Sequence, residues 1–298
     1  SSILKLARKP PAWSAIVDRK YVKLAYQGEI MILRQLLKDC RYSDTLGSIQ
    51  QHFHNDYELI YIKSGIAHLT IEAKTYRLQG GSLVFVSQLE NHSITVLSNN
   101  YERYYVIFNS NHLDDLVPDP RFTSIFRNRP KSFCHVYDMS AKADEVELCF
   151  TGIIREFMAD EKYAVEKFNA YMSLLFITAF RLYPGAFPSM SSSFSKEIFS
   201  IQKYMEDNCG EDIQIAKIAS DHFISQHYLS RRFKHQTGYS PKQYLTNTRL
   251  ARAKSLLVET SLPITVIANQ CGFQDVNNFI RIFREREGVT PNKYRNNV

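Results

Sequence analysis

Four residues in the first third of the chain have side chains suited to holding a cation: His52, His54, Glu58 and His92. Imidazole nitrogens joined by a carboxylate are ligands for iron, manganese, nickel or zinc. Side chains alternate along an extended chain, so the even-numbered His52, His54 and Glu58 are expected on one face, with His92 arriving from another strand. A second set of residues is basic. Between Ser225 and Lys254 lie Arg231, Arg232, Lys234, Lys242, Arg249, Arg252 and Lys254, with no acid among them. Such a segment neutralises phosphates and releases their counterions, which is the sequence-independent part of DNA affinity.

The whole chain has 298 residues, enough for two ordinary domains, with 44% hydrophobic and 22% charged residues. Its net charge of +7 is unevenly placed. From Ser195 onward there are fifteen basic and ten acidic residues, against twenty-two and twenty before it. The longest largely apolar run, Tyr171–Phe180, is about half of a membrane span. The N-terminal residues have no apolar segment long enough for a signal peptide. Five widely spaced cysteines without a Cys-x-x-Cys argue against a disulfide framework or a zinc cluster of thiolates, so a cytoplasmic location is expected.

Two grammars position these groups. Short runs rich in Tyr, Ile, Val and Phe, separated by Gly65, Gly80-Gly81 and Asn99-Asn100, predict strands at Tyr57–Lys63, Ala67–Glu72, Tyr76–Leu78, Ser82–Ser87, Ser93–Leu97 and Arg103–Phe108. That spacing predicts an antiparallel barrel or sandwich. Beyond about Ser140 the period becomes helical. Val146, Cys149, Ile153, Ile154 and Phe157 form one stripe; Phe168, Tyr171, Met172, Leu175, Phe176 and Ala179 form another. The pair either covers the barrel or faces a second subunit. The Pro-, Gly- and Ser-rich segment at 184–194 reads as a linker between domains 1–183 and 195–298.

The C-terminal domain repeats itself. Ile215, Ile218 and Ala219 recur 49 residues later as Ile264, Ile267 and Ala268. Arg231, Phe233, Gly238, Pro241 and Tyr244 recur 50 later as Arg281, Phe283, Gly288, Pro291 and Tyr294, which places one inserted residue near Cys271-Gly272-Phe273. Each copy predicts a short helix, a turn, a polar N-cap (Ser225 or Asp275), a second helix and a left-handed glycine. Ser240-Pro241 or Thr290-Pro291 then starts another helix. Two helix-turn-helix units result, at about 213–238 and 262–288, joined by a long helix over Pro241–Leu257. Leu229, Phe233, Phe279 and Phe283 are expected in the core.

The run from Ile264 through Cys271-Gly272-Phe273, Asp275, Asn278-Phe279 and Phe283-Arg284 to Gly288-x-Thr290-Pro291 resembles the signature of the AraC/XylS transcription regulators, over Ile198 to Arg295. The resemblance implies two reading heads in successive major grooves, about 34 Å apart along one face of the duplex. By motif position it implies that Gln226, His227, Ser230 and Arg231, and Val276, Asn277, Ile280 and Arg281, face the bases. Arg232, Lys234, Lys242, Arg284 and Lys293 are the expected phosphate contacts.

In the N-terminal half, Gly47-x4-His52-x-His54-x3-Glu58-x6-Gly65 is similar to the first cupin motif, and Gly81-x10-His92 to the second, with Ser87 where a proline is common. Two readings follow. In cupin enzymes such a set holds a metal, which makes a metal-dependent cupin enzyme with an appended DNA-binding module the alternative. In sugar-responsive AraC relatives a similar barrel binds the effector and dimerises without catalysis or cofactor. The fold expected is α+β multidomain: a cupin-like antiparallel β-barrel followed by two helices, then an all-α DNA-binding domain. The expected effector contacts are His52, His54, Glu58, Tyr61, His92 and Trp13, with Tyr57, Tyr76 and Phe85 as further aromatic faces for a sugar ring. Expected partners are promoter DNA, a small-molecule effector, a second copy of the chain and RNA polymerase, with no membrane.

Overall fold

A computed structural model describes residues 33, 36–109, 113–117, 119–129, 133–158, 161–187 and 193–297. Trp13, the rest of the basic stretch Lys5–Lys20, and linker residues 188–192 lie outside the described residues.

The six strands expected from the sequence are β3 (Asp56–Ser64), β4 (Ile66–Ile71), β5 (Lys74–Gln79), β6 (Ser82–Val86), β7 (His92–Val96) and β8 (Glu102–Asn109). Three more complete them: β1 (Leu37–Ser43), β2 (Ile49–His52) and β9 (Val136–Asp138). They pair antiparallel in two sheets, ordered β1-β8-β3-β6-β9 and β2-β7-β4-β5. Even-numbered Ile60, Ile62, Val84 and Val86 of the first sheet meet Ala67, Leu69, Ile71, Leu78 and Ile94 of the second, so apolar side chains fill the space between the sheets. Odd-numbered Tyr57, Leu59, Tyr61, Leu83 and Phe85 point the other way.

That second face is covered by helices. α1 (Leu113–Leu116) and α2 (Pro120–Arg127) precede β9 in the chain. The two predicted helices follow it, as α3 (Ala143–Met158) and α4 (Ala164–Leu182). The stripes expected to be apolar bury Val146, Cys149 and Ile153 of α3 and Phe168, Met172, Leu175, Phe176 and Ala179 of α4 against this sheet. Each large side chain removed from water there contributes about 1.5–3 kcal/mol. Covering the sheet is therefore what these stripes do. Exposed apolar side chains remain on the outer surface, with Leu148 and Met158 on α3. The linker begins as a single 3-10 turn at Pro184–Ala186, and Phe187 turns back into this core.

The remainder is helical: α5 (Ser193–Asp207), α6 (Ile215–Asp221), α7 (Gln226–Thr237), α8 (Pro241–Glu259), α9 (Ile264–Gln270), α10 (Val276–Glu287) and α11 (Pro291–Asn297). Its boundaries follow the repeated capping residues. Ser225 accepts a hydrogen bond from the Tyr228 amide at 3.2 Å, and Asp275 accepts one from the Asn277 amide at 2.9 Å. Ser240 and Gln243 form a capping box around Pro241. Gly238 (φ 81°) and Gly288 (φ 73°) end α7 and α10 in the left-handed region that glycine alone enters without steric cost. No helix among the described residues is long and apolar enough to cross a membrane.

The turns inside the two units locate the inserted residue. Phe223 and Ile224 donate to the Ser220 and Ala219 carbonyls; 49 residues later Gly272 and Phe273 donate to those of Asn269 and Ala268. The first turn then passes directly to its N-cap Ser225, whereas the second interposes Gln274 before Asp275, so Gln274 is the extra residue. Phe223 thus holds the left-handed position (φ 56°) that Gly272 holds in the second unit (φ 82°). A Cβ at Gly272 would stand 2.5 Å from the Cys209 carbonyl oxygen, whereas Phe223 is 97% exposed and presses on nothing. A bulky residue in this conformation costs about 1–3 kcal/mol, and glycine's extra freedom in the unfolded chain returns about 0.4–1 kcal/mol of it. Phe223→Gly is therefore expected to stabilise the protein by about 1 kcal/mol, raising the thermal unfolding midpoint, while Gly272→Ala lowers it. Equal effects of the two changes would show that the turns are not equivalent.

Candidate functional site

α7 and α10 are the second helices of the two units, and their outward faces carry the residues expected to meet DNA. Gln226, His227, Arg231, Asn277 and Arg281 are exposed, and Ser230 is half-exposed. The expected phosphate contacts Arg232, Lys234, Lys242, Arg284 and Lys293 are all exposed as well. On the opposite face Leu229, Phe233, Phe279 and Phe283 are fully buried. Val276 and Ile280 are half-buried and pack against that core, which leaves only part of each side chain to offer a base. Arg281 is held along its own helix, donating to Glu285 Oε1 at 2.6 Å and to Asn278 Oδ1 at 2.9 Å. Exposed pairs of this kind are worth only a few tenths of a kcal/mol, so a better acceptor can displace them.

The histidines converge as their spacing suggested, by a different route. His52 ends β2 and pairs in register with His92, which opens β7; His54 lies in the loop beyond, and Glu58 is in β3. The His52 and His92 rings are 4.3 Å apart at their centroids, and those of His54 and His92 are 5.2 Å apart. Glu58 Oε2 lies 3.2 Å from His92 Nε2 and 3.4 Å from His54 Nε2. Burial acts to raise the Glu58 pKa, but the two imidazoles outweigh it and hold the carboxyl well below the usual range. Burial and the neighbouring His92 bring His52 down to about 4, so that ring is neutral at physiological pH.

The aromatic contacts expected for an effector are corrected. Tyr61 lies on the opposite face of β3 from Glu58, because 61 and 58 differ in parity, and it is buried between Tyr104 and Phe150 beneath α3. Tyr57 and Phe85 share that helix-covered core, where both rings meet Phe126. Tyr76 is half-buried and shares a 2.8 Å hydrogen bond with His135 Nδ1. None of these rings is placed to stack on a molecule at the histidines.

The space beside the histidines is a cleft of about 850 Å³ shared by both halves of the chain. Gln50, Gln51, His52 and His54 line one wall; Lys254, Val258, Glu259 and Tyr294 line the other. Sequence reasoning missed the second wall, since nothing in a helical pattern says which distant strand it docks on. The docking is tight. Phe53 and Leu89 of the sandwich belong to the hydrophobic core of the helical half. Lys254 Nζ donates to the Phe53 carbonyl at 2.7 Å and pairs with Glu287 at 2.9 Å. Tyr239 donates to Glu72 Oε1 at 2.6 Å and reaches the Leu89 carbonyl at 2.9 Å. Gln88 donates to Glu206 Oε1 at 2.6 Å and to the Tyr244 hydroxyl, which itself bonds Glu206. The Arg129 amide donates to the Gln236 carbonyl at 2.6 Å.

Comparison with known proteins covers both halves. Residues 218–297 match the model of a helix-turn-helix domain, and residues 41–156 match that of the AraC-like ligand binding domain. The HTH-type transcriptional activator RhaS of Escherichia coli O81 (strain ED1a) is 23% identical over 254 residues, 82% of this chain and 87% of its own length. RhaS of strain SMS-3-5 / SECEC is 22% identical over the same shares. Crystal structures of ToxT from Vibrio cholerae share the fold. The form with an unsaturated fatty acid bound has a TM-score of 0.60 at 16% identity, covering 86% of this chain and 93% of that one.

Lys254 reaches both halves, bonding the Phe53 carbonyl of the sandwich and pairing with Glu287 in its own half. Its side chain and that of Glu287 are 11% and 7% exposed, and removing one member of such a buried pair typically costs about 3–5 kcal/mol. Lys254→Met is expected to destabilise the full chain by that amount in denaturant titration, with Lys254→Met/Glu287→Gln recovering a substantial part. A loss below 1 kcal/mol for the single variant would show the pair to be solvated.

Proposed function

The chain belongs to the AraC family of transcription regulators, with an effector-binding domain and a helix-turn-helix DNA-binding domain, and from that premise we infer how it works. It is an activator that reads two successive major grooves of promoter DNA with α7 and α10, under the control of a small molecule bound beside the histidines. The observation that carries this reading is the double role of α8. Residues 241–259 join the two reading units end to end, and Lys254, Ser255, Val258 and Glu259 of the same helix form a wall of the cleft. A ligand that fits one docked arrangement of α8 better than another shifts the population of reading-head geometries by its difference in affinity.

The cleft sets the chemistry of the effector. Lys38, Gln50, Gln51 and His52 offer hydrogen bonds to hydroxyls or anionic groups and Glu259 accepts them from hydroxyls, while Phe53 and Tyr294 supply ring surface. This suits a polyhydroxylated or anionic small molecule, a sugar among them, held at the mouth of the sandwich. His52 and His54 stand at the cleft wall, with Glu58 and His92 buried behind them. The activator role follows that of RhaS. RNA polymerase is the expected partner of an activator, and a second copy of the chain would cover the exposed Leu148 and Met158 of α3. The regulators among its relatives also support a role without catalysis.

Base reading falls to Arg231 and Arg281, with Asn277 and Gln226 placed for adenine and Val276 or Ile280 for a thymine methyl. Arg281→Ala is expected to cost about 1–3 kcal/mol of specific binding and to relax preference at one base pair, measured against a library of randomised sites. Lys234→Ala is expected instead to weaken all sequences alike and to reduce the salt slope by about one. If Arg281→Ala weakens every sequence equally, Arg281 is a phosphate contact and not a reader.

A further inference from the structure

We propose that Arg249 is a positioning residue for DNA reading, which clamps the two helix-turn-helix units directly to each other and so fixes the spacing of the sub-sites the chain accepts. The proposal rests on the reading of α7 and α10 as a pair of reading heads. Arg249 belongs to the acid-free basic stretch, where a phosphate contact is the ordinary expectation. It is half-buried instead, and its guanidinium is turned onto backbone carbonyls. Nε donates to the Cys209 carbonyl at 2.8 Å, and Nη2 to the Glu211 carbonyl at 2.7 Å. Both carbonyls belong to the loop between α5 and α6, which leads into the first unit.

The second unit closes on the same guanidinium. Gly272, in the turn between α9 and α10, comes so near that a Cβ there would stand 2.9 Å from both Nε and Nη2 of Arg249. The fit is reciprocal. A Cβ on Gly210 would stand 2.7 Å from the Gln270 carbonyl oxygen, at the end of α9, and 3.3 Å from Arg252 Nη1. Contacts that short leave room for hydrogen alone, so the two loops meet backbone to backbone at a pair of glycines. The Arg249 guanidinium also lies 6.0 Å from the Phe273 ring, in the turn of the second unit.

Elsewhere the units meet through α8. The first packs on its N-terminal part, where Tyr244 meets Phe233; the second packs on its C-terminal part, where Lys254 pairs with Glu287. Two bodies resting on one helix can still roll about it, and the contact at Arg249 ties them to each other off its axis. One inserted base pair moves the second major groove by about 3.4 Å and turns it by about 35°. Heads locked at Arg249 cannot follow that change without giving up the base contacts of one of them. Arg295 makes a similar bond inside a single unit: its Nη2 donates to the Leu262 carbonyl at 2.6 Å, just before α9.

The test takes a duplex selected from a randomised library by the full chain, and the same duplex with one base pair inserted or removed between the two protected sub-sites. The wild-type chain is expected to bind the altered spacings at least about tenfold more weakly, the value of roughly one lost base contact. Arg249→Met should bring that ratio below about threefold, less than the cost of a base contact, while base preference within each sub-site stays as it was. Gly210→Ala, which removes no charge, should do the same, and Arg295→Met should not; circular dichroism of the same samples reports whether each variant is folded. A tenfold ratio that survives in both Arg249→Met and Gly210→Ala would overturn the proposal, and a salt slope lower by about one in the first would make Arg249 a phosphate contact. An equal effect of Arg295→Met, or a wild-type chain that protects both sub-sites equally well at every spacing, would overturn it too. Protection of one sub-site alone by the wild-type chain would instead defeat the two-headed reading itself.

Discussion

A lysine ammonium removed from water costs several kcal/mol unless its charge and its hydrogens find partners, and Lys254 finds them in two distant parts of the chain. Its carboxylate is Glu287, at the end of the second reading helix; its carbonyl is that of Phe53, in the loop between His52 and His54. Burial pushes the Lys254 pKa down and Glu287 pushes it back up. The ammonium also lies 4.3 Å over the Phe53 ring, a cation–π contact in a poorly solvated place. The helix that joins the two reading units is thereby fastened to the loop that carries the histidines. Among the described residues this contact works alongside the bonds of Tyr239 and Tyr244, the Arg129–Gln236 backbone bond and the apolar contacts of Phe53 and Leu89 in coupling the two halves.

The helical half was legible in the sequence because its instructions are local. N-caps, left-handed glycines and proline starts act within one turn of the chain, and their duplication at a fixed offset exposed the architecture. Even the inserted residue could be placed to within a few positions; the hydrogen-bonded turns then identified it as Gln274. Phe223 shows where local rules fail, since a phenylalanine stands where the turn asks for glycine and no neighbour explains it.

The sandwich was legible in part, for physical reasons that differ from strand to strand. β3 is buried along both faces, so its sequence shows no alternation to say which residues face which core. Tyr61 enters the expected effector set as an aromatic ring, but its odd number puts it on the other face of β3 from Glu58, under α3. β1 escaped notice because only Leu37 and Cys40 of its seven residues are buried and a register shift between Leu37 and Asp39 breaks its period. β2, Ile49–His52, is too short and polar to announce itself. The histidine cluster came through because residue type marks it, whatever the strand boundaries. Phe53 and Leu89 are apolar residues like any others in sequence, and only the assembled chain shows that they complete the core of the other half.

Regulation through α8 is best tested by changing only the sandwich side of the contact. Glu72→Ala/Gln88→Ala removes the sandwich side chains that bond Tyr239 and Tyr244, leaving the Leu89 carbonyl and Glu206, without altering any residue of the DNA-binding half. Affinity for a specific promoter fragment, measured at fixed salt, should change by at least about fivefold, the lower end of coupling energies between linked sites. Unchanged affinity in a variant whose two halves have demonstrably come apart would show that the reading heads do not depend on the docked sandwich, and would contradict this account.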